Sequence, residues 1–263
     1  MQTRWVAVLY GALLAGGRVM GADADDALPK LALKTHNPVA DMTCLPFNST
    51  LDFGLGANHA VNYTVNVQPL LPIRISPEHY IVSRTSLPLT YAQTLTAGGG
   101  DHSGLGDVQQ SFFWVPKGAA TWGFGPFLQL PTATDRTLGM GKWCAGPTAA
   151  ILKQEHGWTF GALVWQAWSF AGAEDRPAFN QTYVNPFLSY TTPGCTTFGI
   201  SGEATRDWEA DTWLVPVNFT ISHLVKLGDQ KVSLTLGWHN YVVTPAGGPD
   251  WGLKLGIAFL FPE

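Results

Sequence analysis

The stretch D-W-G-L-K-L-G-I-A-F-L-F, Asp250 to Phe261, decides how this chain is read. Trp251, Leu253, Leu255, Ile257, Phe259 and Phe261 share one parity, and Gly252, Lys254, Gly256 and Ala258 share the other. A period of two places the first set on one face of a strand and the second on the opposite face. One face is apolar from end to end with an aromatic at each end, and the other is small or polar. A strand with lipid on one side and water or packed polar groups on the other needs this pattern.

The same alternation recurs upstream. Tyr63, Val65, Val67, Leu71 and Ile73 oppose Asn62, Thr64, Asn66, Gln68 and Arg74. Trp213, Val215, Val217, Phe219 and Ile221 oppose Asn218, Thr220 and Ser222. Val232, Leu234, Leu236 and Trp238 oppose Lys231, Ser233, Thr235 and His239. Weaker copies cover 79–91, 105–117, 120–132, 142–154, 158–170, 180–192 and 195–208, and Cys44–Gly56 supplies a first strand. The connections alternate between short ones, such as S-P-E-H and L-G-D-Q, and longer ones, such as Thr132–Gly141 and Thr244–Pro249. Transmembrane barrels have short periplasmic turns, longer external loops and, in bacteria, an even strand count, so the expectation is an all-β, antiparallel up-and-down barrel of about twelve strands. Trp143, Trp208, Trp213 and Trp251 fall at the outer strand ends, and Trp114, Trp122 and Trp158 at the inner ends, as two aromatic girdles would. Pro69, Pro72, Pro126, Pro147, Pro186 and Pro216 fall inside these strands. Proline lacks the ladder donor, so each marks a bulge or a shorter strand.

Composition agrees. The chain has 263 residues, 46% hydrophobic and 13% charged, with 29 Gly; an average globular chain is about 25% charged. A net charge of −4 without a basic run excludes a nucleic-acid footprint. Arg4, the apolar run Trp5–Gly17 and the small residues at Ala22-Asp23-Ala24 read as a secretory signal over 1–24, with Gly21 a rival cleavage site. Residues 25–43 read as an N-terminal periplasmic arm that partly fills the lumen, and 44–263 as the barrel. Cys44, Cys144 and Cys195 match no zinc or redox spacing and read as small apolar fillers.

Catalytic and metal motifs are missing from the sequence. G-I-S-G-E at Gly199 fails the nucleophile-elbow pattern at its last position, and G-M-G-K-W at Gly139 lacks the Walker spacing. There is no H-E-x-x-H, and the seven His are scattered, each reading as a rim or turn residue more readily than as a metal ligand. The expectation is no enzyme, no catalytic residue, no metal and no cofactor. By parity, Asn66, Gln68, Arg84, Gln109, Glu203 and Lys254 point inward as pore-lining residues, while Phe219, Leu234 and Leu255 face lipid.

Six stretches carry a family resemblance: N-P-V-A-D from Asn37, G-L-G-D-V-Q-Q-S-F-F from Gly104, W-G-F-G-P-F-L-Q-L-P-T-A-T-D from Trp122, G-M-G-K-W-C-A-G-P-T-A-A-I-L-K-Q from Gly139, P-F-L-S-Y-T-T from Pro186 and G-G-P-D-W-G-L-K from Gly247. In them the chain resembles the meta-pathway phenol-degradation family of outer-membrane transporters, whose members are often mislabelled neuromedin U. Cys144 stands where that family is expected to carry Gly or Ala. The resemblance implies a porin-like barrel in a Gram-negative outer membrane. It passes small solutes passively, with small hydrophobic or aromatic compounds suggested by the family label. The expected partners are outer-membrane lipid, a small solute and the barrel-assembly machinery, with no nucleic acid. The alternatives are a structural or adhesive barrel without conductance and a lipid hydrolase or acyltransferase at the membrane rim.

Overall fold

The computed structural model describes residues 27–93, 100–118 and 121–262. The proposed signal segment, the loop position Gly99 and Glu263 lie outside the described residues. Among the described residues, one helix, α1 (Ala27–Lys34), precedes fifteen strand segments. These are β1 (Thr43–Leu55), β2 (Ala60–Val67), β3 (Leu70–Arg74), β4 (His79–Ala92) and β5 (His102–Leu105). Next come β6 (Val108–Pro116), β7 (Thr121–Leu130), β8 (Lys142–Glu155), β9 (Trp158–Gly172) and β10 (Asn180–Thr191). The last five are β11 (Thr196–Gly202), β12 (Ala204–Asp207), β13 (Thr212–Leu227), β14 (Gln230–Val243) and β15 (Trp251–Phe261). Three pairs, β2/β3, β5/β6 and β11/β12, run end to end as interrupted strands, so the wall has twelve staves.

Every stave pairs antiparallel with its sequence neighbours. The last closes on the first: Phe259 faces Val232 of β14 on one side and Leu45 of β1 on the other. Closure leaves no free sheet edge, so every stave has a ladder partner on both sides. The short turns gather at one rim. The tightest, Glu155-His156-Gly157-Trp158, holds His156 and Gly157 at φ 50° and 85°, the pair of left-handed residues that a two-residue hairpin with matched twist requires. A side chain at Gly157 would meet the Thr191 carbonyl at 2.7 Å.

The parity read from the sequence holds around the wall. On β15, Trp251, Leu253, Ile257 and Phe261 are exposed on the outer surface while Gly252 and Leu260 are buried inside. Phe219 is exposed, and Leu234 and Leu255 are half-buried on the same outer parity. Ile151, Phe170, Leu236 and Ile221 extend the apolar belt. Trp143, Trp208, Trp213 and Trp251 stand exposed at the long-loop rim, and Trp122 and Trp158 at the short-turn rim. A closed belt of this extent far exceeds the few hundred Å² of apolar patch that soluble monomers carry. Its polar exceptions satisfy each other. Gln110, on the outer face, accepts from Thr85 at 2.6 Å and donates to Ser83 at 3.0 Å. A polar group facing an apolar medium stays there only when paired in this way.

The strand prolines are accommodated as interruptions. Pro69 falls in the gap between β2 and β3, and Pro216 sits at a register shift against β14. Pro147 lies where the β8–β9 ladder skips two pairs, between Ala145–Trp168 and Thr148–Trp165. Pro186 and Pro216 flank the break between β11 and β12. There Glu203, the single residue between the two segments, donates its N–H to the Pro216 carbonyl at 3.1 Å. Pro126 pairs directly with Pro147 across two staves.

Residues 27–42 turn into the barrel at the short-turn rim. Helix α1 stops at Lys34, before Asn37-Pro38; the residue ahead of a proline is driven out of helical geometry. The Asn37 side-chain oxygen accepts from the Val39 N–H at 2.9 Å, and this Asx turn redirects the chain inward. Leu31, Ala32, Val39, Ala40 and Met42 then pack with Tyr80, Val82, Phe113, Val115, Leu152 and Leu224 as the main apolar core. Cys44 and Cys144 are buried, as small fillers would be. Cys195 differs: it is partly exposed in the Thr192–Thr196 turn at φ 62°.

Candidate functional site

The lumen is the candidate site. Above the arm, toward the long loops, lies a cavity of about 580 Å³, and a smaller one of about 290 Å³ lies against residues 34–42. All six residues assigned inward by parity, Asn66, Gln68, Arg84, Gln109, Glu203 and Lys254, line the larger cavity. Their separation in sequence hides this meeting, because they stand on five different staves and converge only when the sheet closes.

The two cavities share a ring of lining residues that marks a neck. Its members are Asn48, Gln68, Arg84, Leu163, Asn185, Ser201 and Thr235, with Leu163 paired directly to Asn185. Arg84 is the one charged residue of this ring. Asn48 Nδ2 donates to Gln68 Oε1 at 3.0 Å, and above the ring Ser86 donates to Asn66 Oδ1 at 2.9 Å.

The remaining charges of the upper cavity are held. Lys254 Nζ reaches Glu203 Oε1 at 3.0 Å. Asp52 Oδ1 accepts from Tyr241 Oη at 2.8 Å and lies 2.7 Å from His239 Nε2. His239 is fully enclosed, and its ring occupies the space a side chain at Gly252 would need, 2.4 Å from the ideal Cβ. Its Nδ1 is buried without a hydrogen-bond partner, as is Oδ1 of Asn218, which pairs with it across β13 and β14. His239 is thus neither a rim nor a turn residue but part of the inner wall. Its place was legible in its shared parity with Lys231, Ser233 and Thr235, but its partner Asp52, 187 residues away, was not.

One wall of the cavity is aromatic. Phe127 stacks on Trp165 at 4.5 Å and 8°, and Trp165 on Tyr183 at 5.3 Å and 11°. All three line the larger cavity. The sequence reading gave Trp165 no place; it shares the inward parity of Thr159, Leu163 and Ala167, all buried.

A Ser–His contact is present between Ser76 Oγ and His79 Nδ1 at 3.1 Å. It lies in the 75–78 turn, where Ser76 Oγ also accepts the Glu78 N–H and the His79 ring stacks on Trp114 at 4.8 Å. Those contacts make it a turn cap.

The fold is that of closed antiparallel membrane barrels. The chain is similar to an outer-membrane channel from Pseudomonas putida F1, at 15% identity and a TM-score of 0.64, over 84% of this chain and 94% of that one. It is also similar to the NanC porin, at 12% identity and a TM-score of 0.54, over 82% and 98%. At these identities the likeness is one of fold. No family model matches the chain, and no curated protein matches it by sequence.

Proposed function

We propose that the protein is an outer-membrane channel for passive passage of small solutes. The observation that carries this reading is the combination of an apolar, Trp-rimmed outer belt with a polar, charge-bearing lumen of about 580 Å³. Lipid covers the belt, and inward amides, hydroxyls and charges replace part of a solute's hydration as it enters. The long connections face the outside and the short turns the periplasm, which places the arm at the periplasmic mouth. The chain acts by binding and passage, without covalent chemistry; its wall partners are lipid and its cargo a small solute. The family label suggests phenols, and the lumen supports a narrower reading developed below.

Reconstitution of the full mature chain in planar bilayers tests this. The expected result is a small, discrete conductance in KCl. Protein that migrates heat-modifiably on gels, and is therefore folded, yet never conducts would overturn the channel and favour a structural barrel. Hydrolysis of added phospholipid would favour an enzyme at the rim.

A further inference from the structure

We propose that the neck of the lumen is a binding site for a small aromatic carboxylate, with Arg84 holding the acid and the Phe127–Trp165–Tyr183 wall holding the ring. The inference rests on the channel reading, since a solute that crosses the barrel must pass this ring, and it narrows that reading to a charged cargo.

Three observations carry it. First, Arg84 is the only charge of the neck, and no hydrogen bond or ion pair engages its guanidinium among the described residues. The carboxylates of the cavity are committed elsewhere: Glu203 to Lys254, and Asp52 to Tyr241 and His239. Asp52 is also remote. Arg84 pairs with Leu70, and Leu70 with Cys44, eight residues from Asp52 on β1. At about 3.3 Å per residue that is roughly 26 Å along the stave. A guanidinium offers a planar fork of donors that matches a carboxylate bidentately.

Second, donors at the neck and rings just above it face the same cavity. Gln68 is a diagonal neighbour of Arg84 on the same inner face, and its Oε1 is taken by Asn48 while its amide hydrogens remain available. Trp165 and Tyr183 pair with each other one inward position above Leu163 and Asn185 of the neck, and they line the same cavity as Arg84. A planar ring on that wall gains offset stacking with its acid turned toward Arg84. Third, a cavity of about 580 Å³ lies within the usual size of small-molecule sites. An uncharged phenol leaves the guanidinium without a counter-charge, so the site discriminates against the compounds the family label names.

Purified full-length protein in detergent micelles is titrated with benzoate, phenol, cyclohexanecarboxylate, acetate and inorganic phosphate, read by calorimetry and by tryptophan fluorescence. Benzoate is expected to bind most tightly. Arg84→Gln should weaken benzoate about ten- to hundred-fold, the worth of a charged hydrogen bond, and leave phenol unchanged. Arg84→Lys should fall between, because it keeps the charge and loses the fork. Trp165→Leu should weaken benzoate about two- to tenfold and leave acetate unchanged. Heat-modifiable migration reports folding of each variant. Benzoate binding that is unaltered in Arg84→Gln, or no tighter than that of acetate, phenol or phosphate, overturns the site. The readout is independent of conductance. A conducting barrel without benzoate binding defeats this inference alone, and a folded, non-conducting barrel defeats the channel reading.

Discussion

Replacing Val39 by Asp is the sharpest perturbation of the arm. Val39 has no exposed surface, and its carbonyl accepts from Tyr80 Oη at 3.1 Å inside the barrel. Losing the buried valine costs about 1.5–3 kcal/mol. An aspartate there would be enclosed in the apolar core of the mouth, and burying a carboxylate without a partner costs several kcal/mol more. A combined penalty of about 5 kcal/mol shifts the docking equilibrium by three to four orders of magnitude, at about 1.4 kcal/mol per tenfold. The wall does not share that penalty, because closure runs through the β1–β15 and β1–β2 ladders rather than through the arm. Val39→Asp should therefore assemble, migrate heat-modifiably, conduct more than wild type in planar bilayers and lose protection of residues 27–42 from added protease. Gln154→Ala, which removes the 2.7 Å bond to the Leu33 carbonyl, should do the same more weakly. A Val39→Asp barrel with a protease-sensitive arm and wild-type conductance would refute the idea that the arm sets the constriction.

Three further outcomes follow from the same geometry. Leu236→Arg, on the exposed outer belt, should impair assembly by about 2–4 kcal/mol while Thr235→Arg, facing the lumen, is tolerated; equal yields of folded protein would mean the wall is inside out. Glu203→Gln and Lys254→Gln should shift reversal potentials in opposite directions, toward anions and cations respectively. The double variant, which removes the 3.0 Å pair whole, should return near wild type, and single variants that shift in the same direction or not at all would take the pair out of the conducting path. His36, whose Nε2 is sealed in the arm without a partner, is held by burial down at about 4 from an ordinary 6.5. The docked arm thus binds fewer protons than the released one. Docking is at full strength above pH 6.5 and weakens by at most about 3 kcal/mol as pH falls through 6.5 toward 4. Conductance should rise over that window in wild type and stay flat in His36→Gln.

Much of the wall was legible in the sequence because its cause is local. Successive side chains of a strand point to opposite faces, so parity alone assigns Trp251 outward and Lys254 inward without knowledge of any neighbour. The twelve staves and the six inward positions came from that rule and from the alternation of short and long connections. Polar groups against lipid cost too much to scatter at random, which is why the pattern is so clean on β15. The prolines were visible but their resolution was not. Whether Pro216 becomes a register shift or Pro147 a skipped pair depends on the partner stave.

What meets across the lumen was decided only by closure. Parity says that Glu203 and Lys254 face inward; the curvature and register of the closed sheet bring them to 3.0 Å. The same holds for Asp52 with His239, for the stack of Phe127, Trp165 and Tyr183, and for the neck where Arg84 stands as the lone charge. The arm is the extreme case. Its Val39 and Met42 read locally as an unremarkable segment, and they become enclosed core residues of the mouth because a twelve-stave barrel leaves a lumen that its own side chains do not fill.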